Sequence, residues 1–305
     1  MFAGGLAVSG FDAAACAEAT IRAPGLRHQR ADGQAHIAFR ADSAGKTVLA
    51  DLYQRAPCRF LFPEPVAGEP LEAVLLTTSG GLTGGDRIAV SAEVGDGAAV
   101  ILATQAAEKL YRSLSDDAEA LIDVRLTVGD NARAEWLGQE AILFDQARVR
   151  RRFEAEVAPG GRLLALESLV LGRIAMGERY CSGLVHDSWR IRRDGRLLWA
   201  DALHLDGNVA ELMARPFGCG EAQACACLVY AGPDAETRLA AARALIGEEA
   251  DGDTRLGATS FDGLLIVRLL GRNAAVLRSK LVRLAGSLRA EIFGGPPRMP
   301  TVWTC

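Results

Sequence analysis

The sequence predicts a mainly β protein of stacked strands, β-helix-like in architecture, with two helices near its C-terminus. Three observations carry that expectation. Short β-prone runs punctuated by turn residues dominate residues 36 to 230. One phrase recurs along that region, at a spacing that suits units stacked on one another. After residue 233 the apolar period changes to that of amphipathic helices.

The first runs are His36-Ile37-Ala38-Phe39 and Thr47 to Tyr53. The recurring phrase begins with Ala92-Glu93-Val94-Gly95-Asp96-Gly97-Ala98, which leads into Val100-Ile101-Leu102. It returns as Leu126-Thr127-Val128-Gly129-Asp130-Asn131-Ala132 before Trp136-Leu137, and as Ala155-Glu156-Val157-Ala158-Pro159-Gly160-Gly161 before Leu163 to Leu166. Aligned on Val94, Val128 and Val157, the copies stand 34 and 29 residues apart. Each unit reads as a hairpin about its turn, and an antiparallel meander would give the same spacing. Arg193-Asp194-Gly195-Arg196 reads as a fourth turn. Further on, Asp234 is placed to cap a helix from Ala235 to Ile246 that stops at Gly247, and Phe261 to Leu270 reads as a strand. Asn273 is placed to cap a last helix whose Leu277, Leu281, Leu284 and Leu288 recur at steps of four, three and four. Core packing is the ordinary use of such a stripe.

Composition removes several classes of function. With 34 Lys plus Arg against 38 Asp plus Glu, the net charge of −4 offers no excess for nucleic-acid phosphates. Aromatics are 6% of the chain, too sparse for stacking platforms. The longest apolar stretch, Leu264 to Leu270, is interrupted by Arg268 and falls short of a membrane span. Phe2 to Ala15 contains Asp12 and no basic residue before Arg22, unlike a secretory signal. Seven irregularly placed cysteines fit reduced thiols, so a cytoplasmic location is expected.

The most glycine-dense segment is Ser79-Gly80-Gly81-Leu82-Thr83-Gly84-Gly85-Asp86-Arg87. Gly80 and Gly85 have the spacing of a phosphate loop, but Asp86 stands where its lysine belongs, and a carboxylate there repels phosphate. The loop reads instead as paired glycines that permit positive φ or close backbone approach, ending in a turn carboxylate. There is no nucleophile elbow, and four histidines (28, 36, 186 and 204) leave few candidate bases. Cys219, Cys225 and Cys227 form the one thiol cluster; a soft metal could bridge Cys225 and Cys227, though the spacing is not that of structural zinc. Two functional alternatives therefore stand beside the main reading: a β-rich metal-binding protein that uses these thiols, and a β-helix carbohydrate hydrolase.

Several phrases together resemble one family. Thr77 to Arg87 is similar to the glycine-rich signature of the UreD (UreH) urease accessory proteins. The phrase Thr104-Gln105-Ala106-Ala107-Glu108-Lys109-Leu110-Tyr111-Arg112-Ser113 follows at the family's distance. Trp136 to Asp145 resembles a third phrase, with Gly138 in place of the usual proline. Leu171 to Glu178 resembles a fourth, and Pro300-Thr301-Val302-Trp303 the family's ending, with Thr301 where arginine is usual. The match begins near residue 30. Residues 1–28 are expected to be a variable N-terminal segment, a candidate for disorder, and 29–305 a single domain.

The resemblance implies a metallochaperone scaffold and no enzyme. Such a protein would act with UreF, the GTPase UreG and urease apoprotein; Ni²⁺ would be transient cargo, and GTP would bind on UreG. It also implies an internal passage for nickel. Ligands that bind briefly and release suit a passage, which makes Asp86 and Glu178 the first candidates, followed by Glu140 and His186. Candidate partner-binding residues are Gln105, Lys109, Tyr111 and Arg112, together with the last helix around Leu277 and Leu281.

Overall fold

The two runs that flank each recurring turn do not pair with each other. In the computed structural model, which describes residues 29–304 apart from 65, 115–117, 216–218, 221 and 250–251, they lie in different sheets. Strands β1 (Asp32–Ala41) and β2 (Thr47–Arg55) form an antiparallel margin, followed by β3 (Cys58–Leu61) and β4 (Leu71–Thr77). The chain then winds as a three-sided coil. The first turn is β5 (Arg87–Val94), β6 (Ala99–Thr104) and β7 (Glu108–Leu110). The second is β8 (Ala120–Val128), β9 (Arg133–Leu137) and β10 (Ala141–Leu143), and the third is β11 (Arg148–Val157) with the long β12 (Arg162–Arg173).

Each side of the coil is a parallel ladder. One is β5, β8 and β11, extended by β1 and by β14 (Ser182–Arg193). The second is β4, β6, β9 and β12. The third is short: β7, β10 and the distal part of β12, with Leu82 bridging to Leu110. The expectation of stacked units therefore holds, and that of hairpins does not. Each recurring turn is a corner between sheets. Its aspartates explain the repeat: Asp96 Oδ1 accepts from Asp130 N–H and Asp130 Oδ1 from Gly160 N–H, both at 2.8 Å, so each corner is tied to the next. Glycine is required beside them, because a Cβ on Gly129 would stand 2.3 Å from Asp96 Oδ1.

The fourth expected turn does make a hairpin. Asp194 and Gly195, with φ of 51° and 73°, join β14 to β15 (Arg196–Asn208) antiparallel, and the winding ends there. A short helix α1 (Val209–Ala214), not foreseen from the sequence, leads to β16 (Ala224–Ala231). Helix α2 (Leu239–Glu249) follows a 3₁₀ turn, Ala235–Arg238. Asp234 makes no side-chain cap there; its carboxylate accepts from Tyr230 Oη and from Arg238, and Gly247 lies within α2 instead of stopping it. The strand expected over Phe261 to Leu270 is the second arm of a hairpin, β17 (Thr254–Phe261) and β18 (Leu264–Gly271), turned at Asp262-Gly263. Asn273 caps α3 (Ala274–Phe293) as expected, its side-chain oxygen accepting from Ala275 and Val276 N–H.

The layers explain the burial pattern. In the sheet containing β5, one face packs on the interior, so Ile88, Val90, Ala92 and Val94 alternate with exposed or half-buried residues. The sheet containing β6 is covered on both faces, by the first sheet and by α2 and α3, and its strands are apolar without alternation, as in Val100-Ile101-Leu102-Ala103. Leu277, Leu281, Leu284 and Leu288 are all buried in this second core. Leu277 and Leu281 are thus not available to a partner, which corrects that part of the expected partner surface. No described helix is long and apolar enough to cross a membrane. Residues 1–28, Cys16 among them, lie outside the described residues.

Candidate functional site: the short third wall and the cavities behind it

Four of the phrases singled out in the sequence converge on the third side of the coil. Leu82 N–H donates to Lys109 O and Tyr111 N–H to Leu82 O, both at 2.7 Å. Glu108 N–H donates to Glu140 O at 2.9 Å, and Phe144 N–H to Leu110 O at 2.9 Å. Tyr111 Oη donates to Gly80 O at 3.0 Å, and the Tyr111 ring meets that of Phe144 edge-on at 4.8 Å. The glycines allow this contact. A Cβ on Gly81 would stand 2.5 Å from the Tyr111 ring and 2.8 Å from Lys109 O, and one on Gly84 2.4 Å from Ala118 O. Gly80 and Gly85 also have positive φ, 72° and 91°.

The carboxylates named from the sequence serve this wall. Asp86 is buried, Oδ1 accepting from Ala31 N–H (2.8 Å) and Oδ2 from Thr83 N–H (2.7 Å), which fixes the loop at the start of β5. Glu178, on β13 (Glu178–Arg179), pairs with Arg173 Nε and accepts from Asp145 N–H at 3.1 Å. Arg173 in turn lies 3.9 Å over the Phe144 ring. Glu140 pairs with Arg278 of α3 at 3.2 Å. His186 sits apart on the outer face of the first sheet, 5.4 Å from the His204 ring, where burial, then Arg150 and His204, hold its pKa below the usual histidine value. Gln105, Lys109, Tyr111 and Arg112 are exposed along the rim of the third wall.

Behind the wall lies a cavity of about 220 Å³, reached past Gly80, Gly81 and Gln105 and lined deeper by Glu108, Trp136, Gln139, Arg151 and Glu167. A second cavity of about 250 Å³ is lined by Glu167, Asp187, Trp189, Asp201, Cys225, Cys227 and Arg268, among others. Glu167 borders both. None of Asp86, Glu140, Glu178 and His186 lines either one.

Sequence reasoning missed the charged groups between the cavities. Arg151 is inward-facing on β11 and directly opposite Asp187 on β14. Its Nε donates to Asp187 Oδ1 at 3.0 Å and its Nη1 to Glu167 Oε2 at 2.9 Å, while Trp136 Nε1 donates to Glu167 Oε1 at 2.8 Å. Their side chains are 7%, 15% and 14% exposed for Arg151, Asp187 and Glu167. Burial raises the Glu167 pKa, partly countered by Arg151. The signal was present: Glu167 is the one charge in the apolar run Leu163 to Leu171.

Glu108, which lines the first cavity, also has its pKa raised, chiefly by burial, against hydrogen bonds from Thr77 and the backbone. Its ionised form is thus disfavoured in the fold, and stability is lost as pH rises from the ordinary value of 4.5 toward the folded one. Glu108→Gln keeps an acceptor for Thr77 and is expected to raise the Tm at neutral pH. The gain should vanish below the ordinary carboxylate range, which thermal melts across pH will check.

Cys225 and Cys227 share the interior face of β16, and burial, above all, pushes the Cys225 thiol up to about 12 and Cys227 higher still. Among the described residues no three His, Cys, Asp or Glu side chains are grouped to hold an ion.

The model of the UreD urease accessory protein family matches residues 31–304. The chain belongs to the UreD family. It is 45% identical to "Urease accessory protein UreD" of Methylobacterium sp. strain 4-46 over 91% of this chain and 96% of that protein. It is 42% identical to the protein of that name from Rhizobium leguminosarum bv. trifolii, covering 93% of this chain and 98% of the relative. The Xanthobacter autotrophicus protein, also 42% identical, is covered over 93% of both chains. These relatives are named as accessory proteins, and membership of the UreD family supports a role in urease maturation.

Proposed function

We propose that this chain is a non-enzymatic scaffold of urease maturation, in the cytoplasm, that joins UreF and the GTPase UreG and passes Ni²⁺ to urease apoprotein through its interior. The observation that carries the reading is the pair of cavities meeting at Glu167 within a UreD fold. Oxygen donors suit a divalent cation in transit, whereas thiolates would hold it. Burial disfavours the thiolate form of Cys225 and Cys227 in the second cavity, which weakens them as resting ligands beside the oxygen donors. On this reading Asp86, Glu140 and Glu178 act on the path indirectly, by holding the loop and wall around its entrance.

The exposed rim of Gln105, Lys109, Tyr111 and Arg112 is the face we assign to a partner protein. Co-expression of the tagged chain with UreF and UreG of the same source is expected to give a co-eluting complex that activates urease. Lys109→Glu, at an exposed position, is expected to cut recovery of UreF at least about tenfold with the Tm unchanged, since a like-charge or unpaired contact at an interface costs of the order of 1.4 kcal/mol or more. A chain that elutes alone and leaves urease inactive would overturn the reading.

A further inference from the structure

Two largely covered carboxylates share one buried guanidinium at the junction of the cavities. Arg151 borders the first cavity, Asp187 the second, and Glu167 both. With all three ionised the group carries one net negative charge in a low-dielectric interior, which a guanidinium does not neutralise and a divalent ion would. Arg151 is itself incompletely satisfied. Its Nε and Nη1 are taken by Asp187 and Glu167, but its buried Nη2 has no partner. Arg151 is thus fixed through Nε and Nη1 alone, with an unused donor beside the first cavity.

We propose that Arg151 is an exchangeable stand-in for a divalent cation: its guanidinium occupies the position in which Glu167 and Asp187 would hold a metal ion, and gives way when an ion passes from one cavity to the other. The inference rests on the reading of the cavities as a cation path. It adds the residue that keeps the path closed at rest and the pair of carboxylates that takes the ion. Trp136, hydrogen-bonded to Glu167, and Trp189, lining the second cavity, provide a reporter inside the protein, because Ni²⁺ quenches nearby indole fluorescence.

The test uses the purified full chain with NiCl₂ as probe. R151Q removes the charge and shortens the side chain to an amide that stays polar, which vacates the position the guanidinium fills. After gel filtration in metal-free buffer, R151Q is expected to retain about one Ni²⁺ per chain where the wild type retains almost none, and R151Q/E167Q is expected to lose it. A folded R151Q that holds no more nickel than wild type overturns the proposal, as does retention that survives E167Q. Should R151Q fail to fold, the wild type decides: quenching by Ni²⁺ at high concentration should be saturable and absent in E167Q, and identical quenching in E167Q overturns the proposal. Urease activation is not read in any of these arms. Nickel held at this junction by a chain that never activates urease would therefore count against the proposed function and leave this inference standing.

Discussion

Arg289→Met is expected to lower the free energy of unfolding by about 1.5–3 kcal/mol, measured by urea denaturation, because it removes charge-assisted hydrogen bonds from a buried network. Arg289 is 3% exposed and Glu135 on β9 is fully buried. The guanidinium ties together three parts of the chain: Nε pairs with Glu135, Nη2 with Glu69 at 3.3 Å from the connection between β3 and β4, and Nη1 with Arg298 O beyond α3. Glu135 keeps Arg133 (2.5 Å) and Glu69 keeps Arg298 (3.7 Å), and methionine fills much of the volume, so the loss measures the lost guanidinium hydrogen bonds and not a cavity. The same helix carries an internal control. Arg283 also pairs with a glutamate, Glu249 at 2.6 Å, but its side chain is 55% exposed. Arg283→Met is expected to cost less than about 1 kcal/mol, since solvent screens the pair at the surface. Equal costs for the two variants would show that α3 is not anchored through the buried network.

Trp303→Ala is expected to cost a further about 3–5 kcal/mol, the range for emptying a buried tryptophan site. Trp303 is 1% exposed and belongs to the core between the second sheet and the helices. Its Nε1 donates to Leu137 O at 3.3 Å, and its own carbonyl accepts from Arg278 Nη2 at 2.9 Å. One residue earlier, Val302 O accepts from Gln139 Nε2 at 3.0 Å, and Gln139 lines the first cavity. The C-terminal segment thus fastens the wall of that cavity from behind. Trp303→Phe, which keeps most of the apolar volume and loses the indole donor, is expected to recover most of the stability in the same thermal and urea measurements. A Trp303→Ala protein as stable as wild type would mean that this segment merely lies on the core.

Much of the coil was legible because its corners are written in the sequence. Gly95-Asp96, Gly129-Asp130 and Gly160 recur because each corner's aspartate accepts a backbone N–H from the next, a requirement that permits few residues. The same phrase could not say whether its flanking strands pair with each other or lie in different sheets. That distinction is made by tertiary contact: an identical Asp-Gly turn at Asp194-Gly195 does close a hairpin. A signal for the layers was available in the burial periods, alternating around Ile88 to Val94 and continuous in Val100 to Ala103, since the second sheet is covered on both faces. Helix ends divided in the same way. Asn273 was read correctly because nothing competes for its side chain, whereas Asp234 is drawn from its cap by Tyr230 and Arg238.

The sequence by itself determined the family, the mainly β class, the stacked repeats and the phrases that carry the family likeness, because local turn chemistry and close backbone approach restrict residue types at fixed positions. Only the tertiary structure decided which charges face inward. Asp86, Glu140 and Glu178 stand in family phrases yet are engaged by backbone or arginine partners outside the cavities, while Arg151, Glu167 and Asp187, spread over 36 residues and three strands, meet between them. Strand alternation gives a residue its face only once its sheet and register are fixed, and in a coil those are fixed by the neighbouring turns.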